Sequence, residues 1–274
     1  MRMSRTARIV YGLCALIFAF LFIFPLFWVL LTALKVENEV MRYPLQFWPK
    51  VWNFSNFVAA WQSQDFTRYT WNTILVALGN GFGQLISASM AAFAFARYEF
   101  KGKRILFAFL LGTMMLPWDV TVIPQYMEFN FLGWIDTLKP LTVPALFGSA
   151  YYIYYMRQYL ESTPGDFHDA GRIDGASEWL IYARIYLPIM RPALVLVLVQ
   201  TLITVWNDYL GPLVFLNSRS NYTLALGLAS FRGLHSNAIV PTMCVSVMMA
   251  SVPIVVFFFA QKQILEGISG SVKG

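Results

Sequence analysis

The feature that most constrains this chain is a series of apolar runs, each long enough to cross a bilayer. The first, residues 9–34, contains no charged side chain. A hydrocarbon core about 30 Å thick needs roughly 20 helical residues to span it. Comparable runs are read at 73–96, 105–126, 141–159, 192–210 and 239–261. Backbone polar groups in lipid must be bonded within the chain, which favours helices for such runs. The expectation is an all-α polytopic membrane protein with six transmembrane helices in a single domain, 1–274. Pro25 is expected to kink the first span, and Pro117 and Pro124 interrupt the third.

Composition excludes a soluble alternative. Hydrophobic residues make up 58% and charged residues 12% of the 274 positions. A soluble domain carries about 25% charged residues. Mean hydropathy is +0.57. The net charge of +6 is scattered at span edges and is no nucleic-acid footprint. The basic N-terminus precedes an apolar run too long for a secretory signal, so an uncleaved first span is expected. Cys14 and Cys244 fall in apolar runs and read as buried free thiols. Lys and Arg set orientation. With the N-terminus inside, 13 of them fall on the cytosolic side and 7 outside. Both termini are therefore expected in the cytosol, and the loop 163–191 with them. The aromatic segment 35–71, with Trp48, Trp52, Trp61 and Trp71, reads as an interfacial belt rather than a sugar-stacking site.

The loop 163–191 is the longest polar interruption in the C-terminal half. Thr163, Pro164 and Asp166 fit a helix N-terminus with a variant capping box. Ala170, Gly171 and Gly175 place small residues on one side of a short helix, as if another backbone came close. Asp174-Gly175-Ala176 breaks that helix, and a second is expected over 177–187. His168 reads as an exposed helix residue. An ordinary amphipathic loop packed on its own protein would fit the same spacing.

Two polar stripes lie within the spans. Asn80, Gln84 and Ser87 recur at i, i+4 and i+7, and Gln200, Thr204 and Asn207 repeat the spacing. Such faces avoid lipid and either line a solute path or bond other helices. The second stripe is favoured as path-lining, with Trp206 beside it able to stack on a sugar ring. Chemistry is otherwise sparse. There is no phosphate-binding Gly-x-x-x-x-Gly-Lys-Ser/Thr loop, no zinc spacing and no catalytic set. Within the spans, Asp119 and Asp208 are the only acids, which argues against a carrier driven by protons or sodium.

Several segments resemble one family, the permeases of ABC importers. Asp169-Ala170-Gly171, Gly175 and Leu187-Pro188 look like its EAA motif, with Asp169 in place of Glu and Gly171 in place of the second Ala. The run Gly171–Ala176, including Arg172 and Asp174, is similar to the carbohydrate-uptake subfamily. Met115-Leu116-Pro117 with Ile123-Pro124-Gln125-Tyr126, then Trp206–Leu213, then Tyr222–Leu228, match that group in order. The ending Ser271-Val272-Lys273-Gly274 resembles the tail of MalG-type maltose-importer subunits.

The resemblance implies a non-catalytic permease of a bacterial inner membrane, carrying a sugar, oligosaccharide or polyol by alternating access. Its implied partners are a second permease, two ATPase subunits and an extracytoplasmic solute-binding protein. ATP and Mg would be bound by the ATPase, with no cofactor in this chain. Residues Asp166–Gly175 would form the coupling helix, and Ser271–Gly274 would reach between the ATPases. A permease for a non-sugar solute and a secondary carrier are the alternatives. The tail 265–274, with Gly267, Gly270 and Gly274, is expected to be extended rather than helical.

Overall fold

The computed structural model describes residues 5–233 and 236–271. It is all-α apart from a two-residue antiparallel pair, Arg232–Gly233 with Ser236–Asn237. Helix α1 is Arg5–Ala33, continuous through Pro25. Helix α2 is Phe66–Arg97, with a π-helical turn at Gln84–Ala88. Helices α3, Lys103–Thr113, and α4, Trp118–Phe131, meet at 96°. Helix α5 is Ala150–Glu161, α6 is Asp166–Ile173 and α7 is Glu178–Ile189. Helix α8, Arg191–Asn207, leaves α7 at 74°. The last helix, α9, is Ile239–Ser271. The contacts divide the chain into two compact units, residues 1–67 with 227–252, and residues 68–226 with 253–274.

Among the described residues, three helices are long and apolar enough to cross a membrane: α1, α2 and α9. The bent pairs α3–α4 and α7–α8 raise that to five if each counts as one span. The expected fourth span, 141–159, is not one helix. It is a short helix Lys139–Thr142, a 3₁₀ turn Val143–Phe147 and then α5. Pro144 and Gly148 interrupt it, Gly148 with φ +79°. The tail also differs from expectation, since α9 carries its backbone helix past Gly267 and Gly270 to Ser271. An existing helix adds residues without a new nucleation cost, which offsets the weak propensity of glycine. Val272, Lys273 and Gly274 lie outside the described residues.

The break in the fourth span frees backbone groups that lipid cannot satisfy. The first polar stripe satisfies them. Asn80 Nδ2 donates to Leu141 O at 2.7 Å and to Val76 O at 2.9 Å. Gln84 Oε1 accepts from Ser149 N at 2.7 Å, and Ser87 Oγ donates to Leu146 O. The backbones also come close. A Cβ on Gly83 would sit 2.5 Å from Ala145 O and 2.8 Å from its carbon. Below this contact, Ala88, Ala92 and Phe93 of α2 pack on Ile153, Met156 and Leu160 of α5. Ile181, Tyr182 and Tyr186 of α7 and Met190, Ala193 and Val197 complete the core of this unit.

In the other unit, Cys244 is buried, but Cys14 is exposed. The sequence reading of Cys14 as buried fails because α1 is exposed over residues 8–27 and is covered by this chain only near its end, at Leu31 and Ala33. Lys35, just after α1, is 2% exposed and donates to Gln46 O at 2.6 Å. Its burial lowers the ammonium pKa, with Glu39 opposing.

Gly83→Ala is expected to lower stability by about 1–3 kcal/mol, because the neighbour is backbone and cannot swing away. Gly112→Ala, in open space on α3, should stay within about 1 kcal/mol of wild type. Thermal unfolding of the purified chain separates them. Equal midpoints would show that the α2 contact is loose.

Candidate functional site

Residues 163–191 fold into a two-helix unit held by the end of α2. Arg97 Nη2 donates to Leu160 O at 2.6 Å and Thr163 O at 2.8 Å, and its guanidinium stacks on the Tyr186 ring at 4.8 Å. Tyr98 Oη donates to Glu178 Oε2 at 2.9 Å. Burial and the bond to Glu178 push the Tyr98 phenol up to about 12. Glu178 also meets His168 Nε2 at 3.3 Å and Arg172 Nε at 3.3 Å. One carboxylate therefore joins α2, α6 and α7.

Helix α6 begins at Asp166 without a side-chain cap. The expected Thr163 cap does not form, because the Thr163 hydroxyl turns back to Tyr159 O and its carbonyl faces Arg97. His168 is a second correction. It is 8% exposed, not a surface residue, and sits against the rings of Phe93, Tyr98 and Tyr186. Sequence reasoning missed it because those rings belong to distant segments.

The helix ends in a Schellman turn, with Ala176 N donating to Gly171 O at 3.0 Å and Gly175 N to Arg172 O at 3.1 Å. Gly175 has φ +75° and open space around its missing Cβ. Its backbone conformation favours glycine, a reason the sequence reading did not give. Gly171 is the close contact, since a Cβ there would lie 3.0 Å from Ile181 Cγ1. Ser177 then caps α7, its Oγ accepting from Leu180 N at 3.3 Å. With His168 and Gly171 turned inward, α6 presents Phe167, Ala170 and Ile173 outward, with Asp166, Asp169, Arg172 and Asp174 around them. Ile173 is 85% exposed, an unusual state for an isoleucine in an ordered turn.

The intramembrane candidates separate. Gln84 is buried and bonded to Ser149, and Trp206 is 3% exposed, so neither faces a path in this chain. Gln200, Thr204 and Asn207 are exposed along one side of α8. Asn80 and Thr204 meet at a cavity of about 470 Å³, also lined by Trp118, Gln125, Glu128 and Asp208. Trp134, a further wall, stacks on Phe129 at 5.7 Å. Its loop is fixed by Asp136, whose Oδ1 accepts from Asn217 N at 2.9 Å and Ser218 N at 2.8 Å. Ser218 holds the Asp136 carboxyl down to about 2.

The family described as the binding-protein-dependent transport system inner membrane component matches residues 84–266, a segment containing the whole two-helix unit. The chain belongs to that family. It is 31% identical over 271 residues to the arabinooligosaccharides transport permease AraQ of Bacillus subtilis, covering 97% of this chain and 96% of AraQ. It is 30% identical to the lactose transport permease LacG of Rhizobium radiobacter, covering 93% and 92%. In fold it is similar to a chain of a bacterial ABC transporter involved in import of the acidic polysaccharide alginate. The TM-score there is 0.81 at 22% identity, covering 96% and 99%.

Glu178→Ala should release α6 from α2 and raise tryptic cleavage at exposed Arg172 about fivefold, given the half-exposed carboxylate. An unchanged rate would mean the unit holds without that joint. The Asp136 clasp has a depressed folded pKa, so its stabilisation is present above about pH 4 and is lost as pH falls toward about 2. Trp134 fluorescence followed from pH 6 to 2 should shift in that window, and Asp136→Asn should remove the shift. A shift persisting in Asp136→Asn would place its origin elsewhere.

Proposed function

We propose that this chain is the permease subunit of an ATP-driven, binding-protein-dependent importer for a sugar, oligosaccharide or polyol. The observation that carries this reading is the outward face of α6: apolar Phe167, Ala170 and Ile173, ringed by charge, on a helix fixed from behind by Glu178 and Arg97. An exposed apolar patch on a rigid support is a docking surface. The relatives' carbohydrate names and the near-complete coverage of both chains support the substrate class.

The chain pairs with a second permease, two ATPase subunits and an extracytoplasmic solute-binding protein. In our reading ATP and Mg are bound by the ATPase, this chain is non-catalytic and holds no cofactor, and both termini lie in the cytosol. The α6 face, including Asp166, Asp169, Ala170, Gly171, Arg172, Asp174 and Gly175, then meets the ATPase. Closure of the ATPases would push α6, and the joints at Glu178 and Arg97 would carry that push into α2. Ser271, Val272, Lys273 and Gly274 are proposed to reach the ATPases. Gln200, Thr204 and Asn207 are proposed to face the solute path.

Ile173→Asp should weaken ATPase association by about tenfold or more, the loss of one buried apolar side chain. Gly175→Leu should weaken it less, through strain of about 1–2 kcal/mol at positive φ, and Gly175→Asn should be milder still. ATPase pull-down from detergent extracts measures all three. Full association by Ile173→Asp would remove α6 as the docking face.

A further inference from the structure

The cavity beside α4 has a lining that the docking function does not use. Its aromatic walls include the indoles of Trp118 and Trp134. Its charged groups are both acids, and acceptor atoms are prominent among its polar ones. Asn80 spends both amide hydrogens on backbone carbonyls, so its oxygen is the atom left to bind. Gln125 Nε2 donates one hydrogen to Thr121 Oγ1, leaving its oxygen and a second hydrogen to bind. Glu128 and Asp208 add carboxylates, with one oxygen of Asp208 taken by Gly211 N. Among the described lining residues there is no lysine, arginine or histidine.

We infer that this cavity is a saccharide subsite selective for neutral or cationic (amino) sugar units and closed to uronates. The volume of about 470 Å³ falls in the range of small-molecule sites, about 300–1,000 Å³. An indole face takes the apolar face of a pyranose. Carbonyl and carboxylate acceptors take its hydroxyl donors, and charge-assisted bonds from a carboxylate are the stronger ones. A uronate would bring a third carboxylate with no cation to pair it, at the cost of desolvating like charges together. An ammonium sugar would instead gain a partner in Glu128. This rests on the importer reading and deepens it, because it assigns the discrimination by charge to this subunit.

The test uses the complex co-purified with its partner subunits in nanodiscs and follows intrinsic tryptophan fluorescence. The probes are maltotriose, triglucosamine, trigalacturonate and, as a cation without rings, spermidine. Maltotriose and triglucosamine should bind, triglucosamine about fivefold tighter, and the other two should not. Glu128→Gln should abolish the preference for triglucosamine, and Trp118→Leu should weaken both sugars about tenfold. Trigalacturonate binding as well as maltotriose, spermidine binding as well as triglucosamine, or indifference to both variants would overturn the inference. Uptake in cells separates the two readings. If deleting the chain abolishes saccharide uptake but cavity variants bind and carry all sugars as wild type does, the importer stands and the subsite falls. If saccharide uptake does not depend on the chain, both fall.

Discussion

Backbone that leaves the helix inside an apolar span must find hydrogen bonds within the protein, and here helix α2 supplies them. Asn80, Gln84 and Ser87 bond Leu141 O, Ser149 N and Leu146 O, where the fourth apolar run breaks. That contact fixes where α5 begins, and with it the packing of Ile153, Met156 and Leu160 on Ala88 and Ala92. It also places Leu141 and Pro144 as walls of the cavity. The same helix ends at Arg97 and Tyr98, which hold the two-helix unit. Helix α2 is thus bonded along its middle to the segment that shapes the cavity and at its C-terminal end to the proposed docking face. A helix with satisfied joints at two levels can transmit a displacement; a loop held by side-chain packing alone would absorb it.

Much of this was legible in the sequence, and the failures have physical reasons. Long apolar runs announce spans because lipid allows few alternatives. The break at Gly175 and the start of the next helix near Ser177 were legible because both are local. The fourth span misled because hydrophobicity reports depth, not helical continuity. Pro140, Pro144 and Gly148 were the signal of its break, and the stripe on α2 was its complement. His168 could not be placed from its neighbours in sequence, since its burial is made by Phe93, Tyr98 and Tyr186. Trp206 was misread because an aromatic beside a polar stripe suits a core as well as a path.

The two-helix unit also shows why its motif tolerates its departures. Asp169 and Ala170 point outward and Gly171 inward, so these three consecutive positions answer to different constraints. The acid at 169 stands on the exposed side of α6, where its length sets its reach toward a partner. Glycine at 171 fits the close approach of Ile181 and Ile185. The internal joints fall instead on Arg97, Tyr98 and Glu178, outside the motif.

The central claim, that the α6 face lies in the cytosol against an ATPase, is tested most directly by a cysteine at position 170. Cys14 and Cys244 are first replaced, and Ala170→Cys is placed on the exposed face of α6. A short bifunctional thiol reagent is then applied to inverted membrane vesicles containing the assembled transporter. The expected result is a crosslink to the ATPase subunit that changes in yield with ATP, and no labelling of intact cells by a membrane-impermeant maleimide. Labelling from outside, or crosslinking to the solute-binding protein instead, would contradict the claim.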